Sequence, residues 1–302
     1  MAAAGSAGRV ARAAVLRGMV WMAAGGLALA TMNALMRVVT QQIEPATAQF
    51  LRYAFGLVAF MPIIFRGPIA RLRPRRLAGQ FWRGLAQTGA LALFFLSLPH
   101  LPLADVTAIL FTTPIFVLMG AALFLGERVS AARWLAAIAG FIGVIVVIWP
   151  HFTAASGAGA WSLVMLASSP LFATALLITK ALTRFELNDT MVVWQNLVVT
   201  LLTLPLALVF WSTPDQTQLL LLAICGLLGS IAHWCFQRAF SLADISAVQP
   251  MRFLDLIWSS LLSIALFGTQ PALTALAGGA VIVAATIWLA RSEARRARIT
   301  PD

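Results

Sequence analysis

Residues 102–109 read PLADVTAI, and residues 241–248 read SLADISAV. Leu, Ala, Asp and the later Ala coincide in register, while Val/Ile, Thr/Ser and Ile/Val are conservative exchanges. The continuations share a pattern as well: AALFLGERVSAARWLAAIAGFIGVIVVI follows the first phrase and SIALFGTQPALTALAGGAVIVAATIWL the second. Eight residues alone carry little weight. A match in wording, position and continuation points to a duplicated unit.

Composition says what kind of unit this is. Of 302 residues, 61% are hydrophobic and 10% charged, and mean hydropathy is +0.91. A soluble chain carries about a quarter charged residues to wet its surface, so the solvent of this chain is lipid. Apolar runs near the length of about 20 residues that a spanning helix needs occupy 16–38, 47–65, 80–99, 103–125, 133–149, 160–180, 190–211, 217–238, 244–267 and 272–290. The expected fold is an all-α integral membrane protein of ten transmembrane helices. It divides into a first five-span repeat over 1–150 and a second over 151–302 that ends in a basic tail. Basic residues before the first run also describe a signal peptide, but Leu16–Val39 is too long for its apolar region and reads as a retained span. Cys225 and Cys235 share one apolar run and suggest no disulfide framework.

The net charge of +11 does not mark a nucleic-acid binder, because the cations lie between apolar runs rather than along one face. With the N-terminus placed in the cytoplasm, all 21 Lys and Arg except Arg37, Arg52 and Arg252 fall in inside segments. That is the positive-inside pattern, and it puts both termini in the cytoplasm of a bacterial inner membrane. Each half has an odd number of spans, so the second copy runs through the membrane in the opposite sense. The phrase opens span four from outside and span nine from inside. Inverted repeats of this kind allow a midplane site to face either side in turn. Asp105 and Asp244, the repeated acids, precede apolar runs where a carboxylate caps free backbone N–H groups; that reading is preferred to a substrate or proton role.

The run PLADVTAILFTTPIFVLMGAALFLGERVSAARWLAAIAGFIGVIVVIWP resembles the first EamA repeat of the drug/metabolite transporter superfamily. FLRYAFGLVAFMPIIF is similar to that family's second span, and VQPMRFLDLIWSSLLSIALFG to its ninth. The resemblance covers essentially the whole chain and implies a secondary carrier of small organic solutes. Gly126-Glu127 follows the family's Gly-Glu, but the second copy has Gly268-Thr269, so no transport role is assigned to that Glu.

Ionisable groups within spans are expensive and mark functional sites. Arg252 and Asp255 lie three apart on one helix face, either as a structural ion pair or as a gate in which Arg252 draws a substrate carboxylate. The adjacent guanidinium favours the charged form of Asp255, which disfavours a proton-carrying role. Arg37 and Arg52, at outer span ends, read as snorkelling anchors in preference to an anion-attracting vestibule. Among polar residues within spans, Asn33, Gln87, Gln195, Asn196, His233 and Gln237 are expected mostly to join helices, with a minority lining the cavity. Trp82, Trp134, Trp288, Trp149, Trp161 and Trp211 form interfacial belts. Trp21, Trp194, Trp234 and Trp258 lie deeper, as packing or as an aromatic cavity wall. Pro62, Pro114, Pro170, Pro205 and Pro250 interrupt spans, and Pro114 and Pro250 are expected to bend the duplicated pair.

HExxH, GxSxG, GxxxxGK[ST] and paired intramembrane carboxylates are all missing from the sequence, which disfavours an intramembrane enzyme or an ATP-driven pump. A channel filter is likewise unrecognisable. The expectation is a monomeric alternating-access carrier in the lipid bilayer, with a small-molecule substrate, no cofactor, no metal and no nucleic acid. Deep Trp residues with Arg252 fit a zwitterion with an aromatic side chain, and the resemblance implies export of amino acids including aromatic ones, as in YddG-type relatives, although topology does not encode direction. The alternative is uptake of a vitamin or S-adenosylmethionine-like metabolite.

Overall fold

The computed structural model describes residues 2–62, 72–97, 159–267 and 288, and residues 109–142 apart from 111, 128, 136, 140 and 141. Eight helices carry the argument: α1 (Ala2–Val39), α2 (Pro45–Ala59), α3 (Leu77–Ser97), α4 (Thr113–Phe124), α5 (Gly159–Leu182), α6 (Asn188–Val209), α7 (Gln216–Leu242) and α8 (Ile245–Val248). A 3-10 segment, Gln249–Phe253, leads from α8 into α9 (Leu254–Phe267). Among the described residues no strand occurs. Span five is represented by the helical residues 131–135 and 137–139, and span ten, apart from Trp288, lies outside the described residues.

Among the described residues four stretches are long and apolar enough to cross a bilayer by themselves: Ala13–Val39, Leu163–Leu182, Asn188–Val209 and Gln216–Leu242. At 1.5 Å per residue, the 27 residues of the first reach about 40 Å, beyond a hydrocarbon core of about 30 Å. Outward faces remain apolar and uncovered, with Val20, Leu163, Leu208 and Val209 of these stretches and Leu123 and Phe124 of α4 each more than three-fifths exposed. Water would not tolerate that surface, but lipid requires it.

The helix partnerships carry the signature of the inverted repeat. Under the internal twofold, span one maps to six, two to seven, three to eight and four to nine. The packing of α1 on α7 then has its image in α3 on α5. Likewise α2 on α7 maps to α3 on α6, α1 on α9 maps to α4 on α5, and α2 on α6 is its own image. Helices of one half therefore pack chiefly on helices of the other, so the core lies between the repeats. The backbones of α2 and α7 approach closely: a Cβ on Gly226 would lie 2.6 Å from the Gly56 nitrogen and 2.7 Å from the Arg52 carbonyl oxygen. Nearby, Asn196 Nδ2 donates to Ser230 Oγ at 2.9 Å and ties α6 to α7. Small residues and amide–hydroxyl pairs of this kind hold helices together where lipid removes the hydrophobic drive.

Alternation along the chain follows from contacts at the two ends. At one end Gly18 of α1 lies against Ala239, Ala243 and Val248, and the Arg76 backbone N–H donates to Glu186 Oε1 at 2.8 Å. At the other, Thr47 Oγ1 donates to the Phe210 carbonyl and Gln218 Nε2 to Gln42 Oε1. There Asp215 and Gln218 form a reciprocal capping box that starts α7.

Pro114 occupies the first turn of α4, where its missing N–H removes no helical bond, and residues 109–110 before that turn are also helical. One expectation about the duplicated helices needs correction. Asp244 is the N-cap residue of α8 by position, but its side chain makes no capping bond. The capping acid comes instead from the other repeat, as shown below. Asp105 lies outside the described residues. Pro250 sits in the 3-10 segment, so span nine is broken into α8, that segment and α9.

Candidate functional site

Where α3, α5, α6 and α7 converge, polar side chains meet inside the apolar bundle. Gln80, Arg83 and Gln87 occupy α3 with spacings of three and four, which place them on one face. They point to the interface with α5 and α6 because the opposite face of α3 carries the exposed Phe81, Trp82 and Leu85. A cavity of about 20 Å³ is lined by Arg83, Gln87 and Thr179, by Gln195, His233 and Gln237, and by apolar neighbours including Phe236 and Phe240. Gln195 Nε2 lies 3.3 Å from both ring nitrogens of His233. Arg83 is 1% exposed and donates from Nη2 to the Met191 carbonyl at 2.6 Å. Among the described residues its Nε and Nη1, and both amide atoms of Gln80 and Gln237, have no hydrogen-bond partner.

Aromatic groups flank this polar centre. Trp21 and Trp234 meet edge to face at 5.3 Å between centroids, and Trp234 Nε1 donates to Asp189 Oδ1 at 2.9 Å. Trp194 Nε1 donates to the Leu72 carbonyl at 2.9 Å, which commits that indole to the loop before α3. Phe236 joins the centre to span nine: its ring lines the cavity and receives the Arg252 guanidinium at 4.5 Å. Arg252 Nε lies 2.7 Å from Asp255 Oδ2, while Asp255 Oδ1 and Trp258 Nε1 have no partner among the described residues. A Cβ at Gly26 would fall on Asp255 Oδ1, so α1 approaches the pair closely enough to require glycine.

Of the residues singled out in the sequence, Gln87, Gln195, His233 and Gln237 line the cavity; Trp21 packs on Trp234, Arg252 lies over the Phe236 ring and Trp258 lies beside Gly26, with none of these four in the lining. Asn33 lies on an exposed face of α1, away from the cavity lining. Arg52 is not a snorkelling anchor. It is 4% exposed, donates to Gln49 Oε1 and Met32 Sδ at 2.8 Å each, and lies 4.0 Å over the Tyr53 ring. Arg83 and Lys180, which the positive-inside pattern places in inside segments, are buried in the bundle. For Arg83 a signal existed, because Gln80-x-x-Arg83-x-x-x-Gln87 repeats polar groups at helical spacing just inside an apolar run.

A second constellation closes the cation-rich end. Helix α4 ends at Gly126, whose φ of +64° is the left-handed turn that glycine adopts without strain. The turn sends Glu127 toward the second repeat, where Oε1 accepts from Ile245 N–H and Oε2 from Ser246 N–H, both at 3.1 Å. These are the free donors at the start of α8 that Asp244 leaves unmet. Arg133 Nη1 donates to Ser246 Oγ at 2.8 Å and lies 4.0 Å from Asp244 Oδ2. Lys180 Nζ donates to the carbonyls of Phe240 and Ala243 at the end of α7. The α7–α8 junction, which is the repeated phrase itself, is thus clamped by side chains from both repeats.

An inverted pair of helical bundles with a polar centre between them, sealed at one end by cross-repeat contacts, defines a membrane carrier. The chain belongs to the EamA-like transporter family, whose family model matches residues 16–149 and again 159–291. It is thus a multi-pass membrane transporter of the drug/metabolite superfamily. It is 32% identical to a riboflavin transporter of Rhizobium johnstonii over 93% of each chain. It is 30% identical to a riboflavin transporter of Vibrio cholerae over 94% of this chain and 96% of that one. An S-adenosylmethionine uptake transporter of Rickettsia felis is 27% identical over 92% and 94% of the two chains. A crystal structure of another protein superposes with a TM-score of 0.77 at 18% identity, covering 94% of this chain and 98% of that one, which shows the shared fold.

Proposed function

We propose that this transporter takes up a heteroaromatic metabolite of the flavin or adenosyl type across the inner membrane by alternating access. The observation that carries the reading is end-to-end similarity to riboflavin and S-adenosylmethionine transporters, at up to 32% identity. It favours the vitamin or adenosyl alternative over amino-acid export. The site chemistry is compatible with that choice. Trp21 and Trp234 offer aromatic surface to a planar ring, while Gln87, Gln195, His233 and Gln237 offer donors and acceptors to a heterocyclic edge. The two repeats, 1–150 and 151–302, are the bodies that rock. Cations gathered at the latched end support a cytoplasmic location for that end and for both termini. The carrier acts as a monomer by facilitated exchange.

At about 20 Å³ the cavity has room for about one water. Small-molecule sites occupy roughly 300 Å³ or more, so loading requires α3, α5, α6 and α7 to part. The test is uptake of labelled riboflavin and S-adenosylmethionine into proteoliposomes, with unlabelled tryptophan as a competitor. Saturable uptake of either metabolite, unaffected by tryptophan, is expected. Strong competition by tryptophan would restore the amino-acid reading, and flat traces from folded protein would remove the flavin and adenosyl classes.

A further inference from the structure

Two guanidinium groups are buried in the described bundle, and they are treated differently. Arg52 is occupied by Gln49, Met32 and the Tyr53 ring. Arg83 is more deeply buried, yet holds one carbonyl and leaves Nε and Nη1 unmet. Among the described residues no carboxylate lies at ion-pair distance from it. A buried cation whose carboxylate neighbour, Glu186, stays beyond ion-pair distance is one of the most expensive arrangements available in a membrane interior. The neighbouring Gln237, 1% exposed on the same cavity, leaves its amide unmet as well. Asp255 is committed to Arg252, and Glu186 to the backbone of Arg76.

We propose that Arg83 is the substrate-anchoring cation of the central site and pairs with an oxyanion on the substrate, a carboxylate or a phosphate, with the Gln237 amide beside it. This inference rests on the central site of the proposed function and narrows its substrate to heteroaromatic molecules that carry such a group. A guanidinium is suited to the task because its donors match both oxyanions in a fixed planar fork. Its location supports the role: Arg83 lies on a first-repeat helix and Gln237 on a second-repeat helix. An oxyanion between them bridges the two moving bodies and neutralises the cation during the passage.

The experiment compares ligand pairs that differ in the oxyanion. Purified wild-type protein is titrated with S-adenosylmethionine against its decarboxylated analogue, flavin mononucleotide against riboflavin, and tryptophan against tryptophanamide, with thermal stabilisation as the readout. In at least one pair the oxyanion member is expected to bind about tenfold tighter or more, the least that one charge-assisted hydrogen bond provides. The pair that discriminates identifies carboxylate or phosphate. Arg83→Gln is expected to abolish the difference, and Arg83→Lys to retain it in weakened form. Should Arg83→Gln fail to fold, the wild-type pairs and Arg83→Lys still decide. Equal binding within every pair, or a preference that survives in folded Arg83→Gln, would overturn the inference while leaving the heteroaromatic reading intact. No binding by any of the six ligands would overturn both.

Discussion

Glu127 offers the sharpest test of how the repeats are held together. Its two oxygens accept the Ile245 and Ser246 N–H groups across the repeat boundary, and these donors have no other cap. Glu127→Gln preserves length and one acceptor but removes the charge and the second acceptor. A hydrogen bond to a charged group contributes about 1.5–3 kcal/mol, and the lower end applies because Glu127 is partly exposed. About 1.5 kcal/mol corresponds to a rise of about tenfold in the unlatched population. Ser246 is fully buried beneath the latch and serves as the reporter. In a Ser246→Cys protein with Cys225→Ala and Cys235→Ala, maleimide labelling in proteoliposomes should quicken about tenfold when Glu127→Gln is added. An unchanged or slower rate in folded protein would refute the latch. The sequence has Thr269 at the matching place in the second copy, so this clamp is specified at one end only.

Other consequences follow from the same geometry. Gly226→Val should force α2 from α7, since the added carbons meet the Gly56 and Arg52 backbone; the expected loss is about 1–3 kcal/mol, read as a lower midpoint in detergent-induced unfolding. Arg252→Ala strands Asp255 beside α1 and should lower initial transport rates about tenfold, from a lost charge-assisted bond of about 1.5 kcal/mol. Trp258→Ala should lower them too, and full activity in both variants would remove span nine from the site. A cysteine at position 244, where the native side chain is 59% exposed, should label in inverted vesicles, from the cytoplasmic face, and not from outside intact cells; the reverse would invert the topology.

Much of this architecture was written in local patterns. Apolar run length located the helices, and the phrase shared by 102–109 and 241–248 identified the inverted repeat. What sequence patterns left out were partnerships between distant segments. Asp244 has the residue type and position of a cap, yet the backbone turn at Gly126 delivers Glu127 to the same N–H groups, and a short acid facing solvent loses that competition. Lys180 stands at the end of an apolar run and resembles a loop cation, but the carbonyls at the end of α7 draw it inward. Arg83 lies one turn inside its span, where a guanidinium can snorkel or turn into the bundle. Only the packing of α3 on α5 and α6 decides between these. The substrate class was the least legible feature, because aromatic walls and buried cations suit an aromatic amino acid as well as a flavin or an adenosyl group.

The measurement that tests the central claim most directly is counterflow. Proteoliposomes are loaded with unlabelled riboflavin or S-adenosylmethionine, and trace labelled compound is added outside. A carrier that alternates a single site between two faces produces a transient overshoot of label inside, and that overshoot is the predicted result for at least one of the two. Label that rises without overshoot to simple equilibration, from protein shown to be folded, would contradict alternating access to a shared central site.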